Sequence, residues 1–194
     1  MNAPKMSHAG KAIILVAPTA CGKTTLLEYL GKEFPFLKKS ISHTTRPKRP
    51  KDVHGKDYFF VTPQEFKDMI AQNAFLEWAV HLNHYYGTSK AFIEQQLDQG
   101  FSILGDVDLA GADAFKRILG KQAVVIFIAP PSFAEIEKRL RARQSESEEV
   151  IQQRLALAKE EMQHQNDYDY RLVNDDLAVA KKEIAAIVKK ELGL

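Results

Sequence analysis

The stretch that decides the fold reads Ala17-Pro18-Thr19-Ala20-Cys21-Gly22-Lys23-Thr24, and an apolar run, Ala12-Ile13-Ile14-Leu15-Val16, leads directly into it. Beyond this stretch, apolar residues recur at helical spacing until Pro35: Leu26, Leu27, Leu30 and Phe34. The sequence therefore predicts a buried strand, a loop ending in Gly-Lys-Thr, and a helix. That order is typical of a loop that binds phosphate.

The residues of this loop have distinct expected roles. In a phosphate-binding loop, successive backbone N–H groups point at phosphate oxygens, and the following helix adds its positive N-terminal end. We expect Lys23 to bring its charge to the outer phosphates and Thr24 to hold Mg²⁺ through its hydroxyl. Ala17 stands where the pattern has Gly, which costs about 1–2 kcal/mol if this position requires a positive φ. The alternative is an ordinary turn with a surface lysine.

Composition favours one well-buried domain that acts on small molecules. The chain has 194 residues, of which 45% are hydrophobic and 27% charged, as in ordinary globular proteins. No apolar run approaches the roughly 18 residues of a membrane span, so we expect no membrane segment. The formal net charge of +2 argues against a large nucleic-acid surface. The expected partners are small anions.

Two further expectations concern the first residues and the single cysteine. Residues 1–10 lack an apolar core, and we expect a disordered tail there. Cys21 cannot form an internal disulfide and fits a reducing cytoplasm. Its position beside Lys23 and a helix start would favour a reactive thiolate, whereas a small loop residue is the simpler interpretation.

Strand-like and helical runs alternate along the chain, which predicts an α/β fold with a parallel sheet. Asp106 follows the apolar run Phe101–Gly105, where ligands bind in such sheets, and a P-loop enzyme uses an acid there to hold Mg²⁺. Asp106 and Asp108 are expected to share one face of this strand. A paired-carboxylate hydrolase is the alternative chemistry, but no sugar-binding aromatic cluster accompanies the two acids.

The segment 38–61 is basic and rich in hydroxyls, and its prolines forbid a helix. We interpret it as a short β-rich excursion that fixes an anion, with a nucleic-acid patch as the alternative. Glu77 interrupts an apolar strand-like run and requires a partner unless it faces water. Thr62 and Glu65 are expected to cap a helix. Tyr85-Tyr86-Gly87-Thr88 is predicted to form a turn that leads into another helix.

Three arginines flank a polar break at 144–149, and this break predicts a mobile lid. Arg139, Arg143 and Arg154 carry planar guanidinium groups, which suit phosphate oxygens. Arginines that are solvated on helix surfaces remain the alternative.

Together these motifs resemble the guanylate kinase family from about residue 11 to the end of the chain. The resemblance is carried by Ser42-His43-Thr44-Thr45-Arg46-Pro47-Lys48-Arg49, Gly55-Lys56-Asp57-Tyr58, Glu77-Trp78, Tyr85-Tyr86-Gly87-Thr88, Asp106-Val107-Asp108, Arg139 to Arg143, Ser147-Glu148-Glu149 and Val173-Asn174-Asp175-Asp176. It implies a cytoplasmic enzyme that transfers the γ-phosphoryl group of ATP to GMP or dGMP with Mg²⁺. Many members of the family have Gly where Ala17 and Ala20 stand.

The resemblance also implies which residues bind each substrate. ATP is expected on Ala17, Pro18, Thr19, Ala20, Cys21, Gly22, Lys23, Thr24, Thr25 and, near adenine, Asn174. GMP is expected on Ser42, Arg46, Arg49, Tyr58, Glu77, Tyr86, Thr88 and Asp108. The expected catalytic residues are Lys23, Arg46, Arg139, Arg143 and Arg154. The metal is expected on Thr24 and, through water, on Asp106.

The implied fold is a P-loop three-layer α/β sandwich with a parallel core sheet, a small β-rich GMP-binding lobe and a helical lid. The implied core covers 11–37 and 87–194, the lobe about 38–86 and the lid about 139–154. Two other functions remain open, namely a kinase of small sugar phosphates and a catalytically silent module that binds phosphorylated peptides. The sequence does not distinguish a monomer from a homo-oligomer.

Overall fold

The computed structural model of this chain describes residues 10–81, 83–142 and 147–194. The elements of these ranges are, in order, β1 (Ala12–Val16), α1 (Lys23–Glu33), β2 (Lys38–Lys39), β3 (His43–Thr44), β4 (Phe59–Phe60), α2 (Pro63–Ala71), β5 (Phe75–His81), β6 (His84–Ser89), α3 (Lys90–Asp98), β7 (Ile103–Asp106), α4 (Leu109–Leu119), β8 (Ala123–Ala129), α5 (Phe133–Ala142), α6 (Glu148–Glu161), β9 (Tyr170–Val173) and α7 (Leu177–Leu192). None of the described helices combines the length and the apolar character that crossing a membrane requires.

The described strands form two sheets. One has five strands in the order β2-β7-β1-β8-β9, and the other has four in the order β4-β3-β6-β5. In the five-stranded sheet, β2 runs parallel to β7 and β8 runs parallel to β9. The predicted α/β class with a parallel sheet is confirmed.

The chain folds as two compact units, and the first of them contains the predicted phosphate loop. This loop unit comprises Ile13–Pro35, Asp106–Leu109 and Val124–Leu194. Strands β1 and β8 are buried along their length in its core, and helices α1 and α7 pack together. The carboxylate of Asp176 accepts the backbone N–H groups of Ala178 and Val179, so α7 begins at a side-chain cap.

The sheet unit comprises the described residues up to Ala12, Phe36–Gly105 and Ala110–Ala123. An aromatic stack forms part of its core, since the ring of Phe66 lies 4.3 Å from that of Phe75 and 5.2 Å from that of Tyr85. Helix α2 begins with a capping box, in which Thr62 and Glu65 satisfy each other's backbone N–H groups. The predicted cap is therefore confirmed.

The prediction of a turn at 85–88 is wrong, because these residues belong to strand β6. Strand β6 pairs antiparallel with β5, and Gly87 lies opposite Trp78. A Cβ at Gly87 would approach the Phe75 ring to 2.9 Å and the Phe66 ring to 3.0 Å. Gly87 is therefore required for space inside the sheet, and it does not mark a turn.

The prediction that Asp106 and Asp108 share one strand face is also wrong. Strand β7 ends at Asp106, and Asp108 lies in the connection to α4. Strand periodicity therefore does not apply to Asp108. Helix α4 begins at Leu109, directly after Asp108.

Candidate active site

The loop between β1 and α1 has two residues in the left-handed region of backbone conformation. Ala20 has a φ of 60° and Gly22 a φ of 84°, whereas Ala17 is not among the described residues with positive φ. The sequence suggested that Ala17 would be strained if its φ were positive. In the structure Ala20, not Ala17, has the positive φ and therefore the backbone strain. Left-handed residues next to right-handed ones turn successive N–H groups to one side, which is the geometry of an anion-binding nest.

Lys23 and Asp106 lie together in the loop unit, as their sequence contexts predict. The Nζ of Lys23 is 3.4 Å from Oδ2 of Asp106 and donates a hydrogen bond of 3.3 Å to the carbonyl oxygen of Val107. Asp106 ends β7, so its carboxylate extends from the carboxyl end of a parallel strand. These contacts place a cation and a carboxylate beside the start of α1.

The oxygen donors near this point suit Mg²⁺. Thr24 is exposed in the first turn of α1, and the side chain of Asp106 is 40% exposed. In the described part of the chain, no group of three or more His, Cys, Asp or Glu residues could hold a metal. Mg²⁺ commonly uses one or two protein oxygens together with water and substrate phosphates, so the pair Thr24 and Asp106 fits this ion.

Cys21 is a buried thiol. Its side chain is 1% exposed, and burial raises the pKa of Cys21 to about 12, although the nearby charge of Arg139 acts in the opposite direction. The Sγ–H donates to the carbonyl oxygen of Thr19 at 3.5 Å. The suggestion of a reactive thiolate is therefore wrong, because desolvation outweighs the effect of neighbouring positive charge.

Asn174 contacts the loop itself. Its side chain is 5% exposed, and Nδ2 donates a hydrogen bond of 2.9 Å to the carbonyl oxygen of Cys21. Arg139 in α5 donates through Nη2 to the backbone oxygen of Asn174 at 3.1 Å, and its Nε contacts Glu135 at 3.1 Å. Asn174 and Arg139 thus form a connected group with the loop.

The predicted lid arginines have different positions. Nη1 of Arg154 in α6 donates to the hydroxyl of Thr19 at 3.3 Å, so Arg154 also reaches the loop. Arg143 lies outside the described residues. The structure therefore brings Arg139 and Arg154 to the loop region and gives no position for Arg143.

Glu161, near the end of α6, was missed by the sequence analysis. Burial raises the pKa of Glu161 to about 7, the charge of Lys23 lowers it, and the charge of Asp108 raises it. Helical spacing could have indicated that Glu161 is partly buried, because it follows the buried Ala158 by one turn of α6 and so lies on the same face. Asp108, predicted to contact guanine, therefore lies close enough to Glu161 to affect its protonation.

Three predicted guanine-binding residues meet at the four-stranded sheet of the sheet unit, two of them in strands and Ser42 just before β3. Glu77 in β5 is directly opposite Thr88 in β6, and the Thr88 hydroxyl donates a hydrogen bond of 2.5 Å to the Glu77 carboxylate. The hydroxyl of Ser42 lies 3.4 Å from that of Thr88. Thr88 is buried, so Glu77 has a fixed partner and does not simply face water.

Arg46 is held beside two tyrosines. Its guanidinium contacts Asp52 at 2.9 Å and lies over the Tyr58 ring, and the ring of Tyr58 is 5.8 Å from that of Tyr86. Arg49 joins this group through its backbone N–H, which donates to Asp52 at 2.8 Å. The side chains of Arg46, Tyr58 and Tyr86 are thus brought together beside the backbone of Arg49. Asp52 was missed because a single acid in a basic run gives no local signal.

The two groups can perform complementary chemistry. The loop unit offers backbone N–H groups, a lysine and arginines, which suit a polyphosphate. The sheet unit offers an arginine with tyrosines for a single phosphate, and a fixed carboxylate with hydroxyls for a base. This combination of groups is suited to a phosphoryl transfer between two nucleotides.

Comparison with known proteins gives a consistent result. The family described as "Guanylate kinase" matches residues 9–191 of this chain. The chain is 44% identical over 187 residues to "Guanylate kinase" of Shewanella frigidimarina, covering 96% of this chain and 90% of that protein. It is 45% identical over 184 residues to "Guanylate kinase" of Escherichia coli strain K12, covering 94% and 88%. The crystal structure of guanylate kinase from Anaplasma phagocytophilum has a TM-score of 0.71 at 31% identity, covering 97% of this chain and 89% of that one.

Proposed function

This chain belongs to the guanylate kinase family, and we propose that the residues around Lys23 bind ATP and those around Glu77 and Arg46 bind GMP. Members of this family transfer the γ-phosphoryl group of ATP to GMP, which gives ADP and GDP, and this chain is a kinase of that class. The same base-binding group is proposed to accept dGMP, since the contacts to Glu77, Thr88 and Ser42 do not involve the ribose.

On the ATP side, the proposal assigns the phosphates to the loop from Ala17 to Thr25. The left-handed Ala20 and Gly22 support it, because such a turn presents successive N–H groups to an anion. Lys23 approaches the outer phosphates. Mg²⁺ would be held by Thr24 and, through water, by Asp106, and when bound it would neutralise charge on the outer phosphate oxygens.

On the GMP side, Glu77 accepts hydrogen bonds from N1–H and the amino group of guanine. The hydrogen bond from Thr88 supports this role, because it holds one oxygen of the Glu77 carboxylate and so fixes the orientation of the carboxylate before guanine binds. Ser42 donates to O6, and adenine presents the opposite pattern at these positions. Asp108 remains a predicted guanine contact.

The GMP phosphate is assigned to four side chains. Arg46, Arg49, Tyr58 and Tyr86 supply charge and hydroxyl donors, and the contacts of Arg46 with Asp52 and Tyr58 support a preformed site. We propose that this function belongs to the segment 38–86, that the core covers 11–37 and 87–194, and that 139–154 acts as a lid.

The transfer step requires no covalent intermediate. The GMP phosphate attacks the γ-phosphorus in line, while Lys23, Arg46, Arg139, Arg143 and Arg154 stabilise the charge that develops on the transferred group. A lid that excludes water would favour transfer to GMP over hydrolysis of ATP. We propose a cytoplasmic location, where ATP and GMP are available, and a site for free nucleotides rather than nucleic acid.

The observation that carries the proposal is the fixed carboxylate of Glu77 between β5 and β6. The test is an assay of ADP release with Mg-ATP and, in turn, GMP, dGMP, AMP, UMP and ribose 1,5-bisphosphate. We expect turnover with GMP and dGMP alone. Turnover with only the sugar phosphate would replace the proposal by a sugar-phosphate kinase, and GMP binding without any turnover would indicate a silent binding module.

A further inference from the structure

A buried carboxamide connects the end of β9 to the phosphate loop. Asn174 lies 153 residues from Cys21 in sequence, and its Nδ2 donates to the Cys21 carbonyl oxygen at 2.9 Å. We propose that Asn174 is a positioning residue of the loop, and that its carboxamide fixes the Cys21–Gly22 peptide so that the Gly22 N–H faces the nucleotide phosphates. This inference rests on the proposed function of the loop.

The orientation of the peptide follows from its planarity. No described peptide bond is cis, so the carbonyl of Cys21 and the N–H of Gly22 point in opposite directions. Because Asn174 holds the carbonyl on its own side, the Gly22 N–H is directed to the other side. An N–H that is held before the ligand arrives costs no reorganisation on binding.

The close approach of Asn174 also explains the residue at position 22. A Cβ on Gly22 would lie 2.3 Å from Nδ2 of Asn174, which is closer than any non-bonded contact allows. Gly22 further has a φ of 84°, a conformation that glycine adopts without strain. The position of the Asn174 carboxamide therefore requires a glycine at position 22.

The backbone of Asn174 is anchored from two directions. Its N–H donates to the carbonyl oxygen of Ala129 at the end of β8, at 2.8 Å, and its carbonyl accepts from Arg139. Because the side chain extends from a strand end held in this way, it has little freedom to follow the loop. The carboxamide is thus suited to impose an orientation on the loop.

This role differs from the expected contact of Asn174 with adenine, and the difference can be measured. A residue that orients a backbone N–H toward phosphate affects every ligand that carries the phosphates. A residue that contacts adenine affects only ligands that carry the base. Tripolyphosphate has phosphates and no base, so it distinguishes the two roles.

The experiment measures binding of ADP and of tripolyphosphate, each with Mg²⁺, to the full chain and to Asn174→Ala by isothermal titration calorimetry. We expect both ligands to bind about tenfold more weakly, by a similar factor, as the loss of one buried hydrogen bond implies. We expect the Kd of GMP to be unchanged. The matched control is Asn166→Ala, because Asn166 is exposed in the connection before β9.

A second variant separates the hydrogen bond from packing. Asn174→Asp keeps the volume and places an oxygen opposite the Cys21 carbonyl, so at pH 8 it should weaken tripolyphosphate binding at least as much as Asn174→Ala does. At lower pH a protonated carboxyl can donate to that carbonyl, and binding relative to the full chain should recover. Asn174→Leu keeps a similar volume, adds no charge and cannot donate, so it should weaken tripolyphosphate binding as Asn174→Ala does, whereas packing alone would leave Asn174→Leu similar to the full chain.

Each outcome is decisive. Weaker ADP binding with unchanged tripolyphosphate binding would overturn the proposal in favour of an adenine contact, and unchanged binding of both would overturn any role in the site. Loss of folding in these variants, seen by circular dichroism and by loss of GMP binding, would also overturn it, since the carboxamide would then support the fold and not the loop. If the unsubstituted chain bound neither ADP nor tripolyphosphate, the proposed function itself would fail, which is a distinguishable result.

Discussion

Asp52 holds the guanidinium of Arg46 and the backbone of Arg49 with the same carboxylate oxygen, at 2.9 and 2.8 Å. The side chains of Arg46 and Asp52 are only 13% and 18% exposed, so this contact is largely shielded from water. Arg46 also donates through Nη1 to the carbonyl oxygen of Pro47 at 3.0 Å. A guanidinium has several N–H donors, so a phosphate can still bind Arg46 while Asp52 and Pro47 keep it in place.

Removing the charge of Asp52 should weaken GMP binding. In Asp52→Asn the ion pair with Arg46 becomes a hydrogen bond between the guanidinium and a neutral amide, and we expect KM for GMP to rise several-fold while KM for ATP changes little. Steady-state kinetics with varied GMP measures this effect. Asp68→Asn, which alters an exposed carboxylate in α2, is the control. A fall in KM for GMP would mean that Asp52 competes with the phosphate for Arg46.

Glu77 and Thr88 should act as a unit in selecting guanine. Glu77→Gln presents one acceptor where two donors of guanine arrive, and discrimination based on paired polar groups can reach about 10⁴-fold in kcat/KM. Thr88→Val removes the hydroxyl that fixes the carboxylate and should lower kcat/KM for GMP by a smaller factor. Each variant is assayed with GMP at saturating ATP, with the exposed Glu94→Gln as the control. Unchanged kcat/KM in Glu77→Gln would remove Glu77 from base recognition.

The strained residue of the phosphate loop should be Ala20, since its φ is 60° and Ala17 is not left-handed. A non-glycine residue in this region costs about 1–2 kcal/mol, whereas glycine loses about 0.5–1 kcal/mol through unfolded-state entropy. Ala20→Gly should therefore raise the free energy of unfolding by about 0.5–1 kcal/mol. Chemical denaturation measures it, and Ala17→Gly is the matched control, which should instead lower stability. Equal effects of the two substitutions would contradict this assignment.

The local order of the fold could be predicted from the sequence because it depends on neighbours in the chain. The strand and helix around the phosphate loop and the cap at Thr62 follow from spacing and capping rules. The turn predicted at 85–88 is instead a strand, because no rule about neighbouring residues shows what constrains Gly87. Its actual constraint is the space beside Phe66 and Phe75, which only the folded sheet reveals.

The sequence indicated which residues come together near the candidate site better than it indicated the hydrogen bonds between them. Lys23 with Asp106, and Ser42 with Glu77 and Thr88, come together as their motifs suggest. The contact between Asn174 and Cys21 could not be predicted, because the two residues are distant in sequence and no local period links them. The roles that the resemblance implies for individual residues remain predictions for the variants above.

Glu161 should make the stability of the protein depend on pH. Burial raises the pKa of Glu161 from its ordinary value of 4.5 to about 7 beside Lys23 and Asp108, with Cys21 also within electrostatic reach. The folded state therefore binds the proton more tightly than the unfolded state, and this contribution is present below pH 4.5 and lost as pH rises through about 7. Glu161→Gln cannot ionise, so its stability relative to the unsubstituted protein should increase between pH 5 and pH 8. Urea denaturation at the two pH values measures this difference, and the exposed neighbour Glu160→Gln, which should show no such increase, is the control. A pH-independent difference for Glu161→Gln would mean that Glu161 is charged in the folded protein throughout this range.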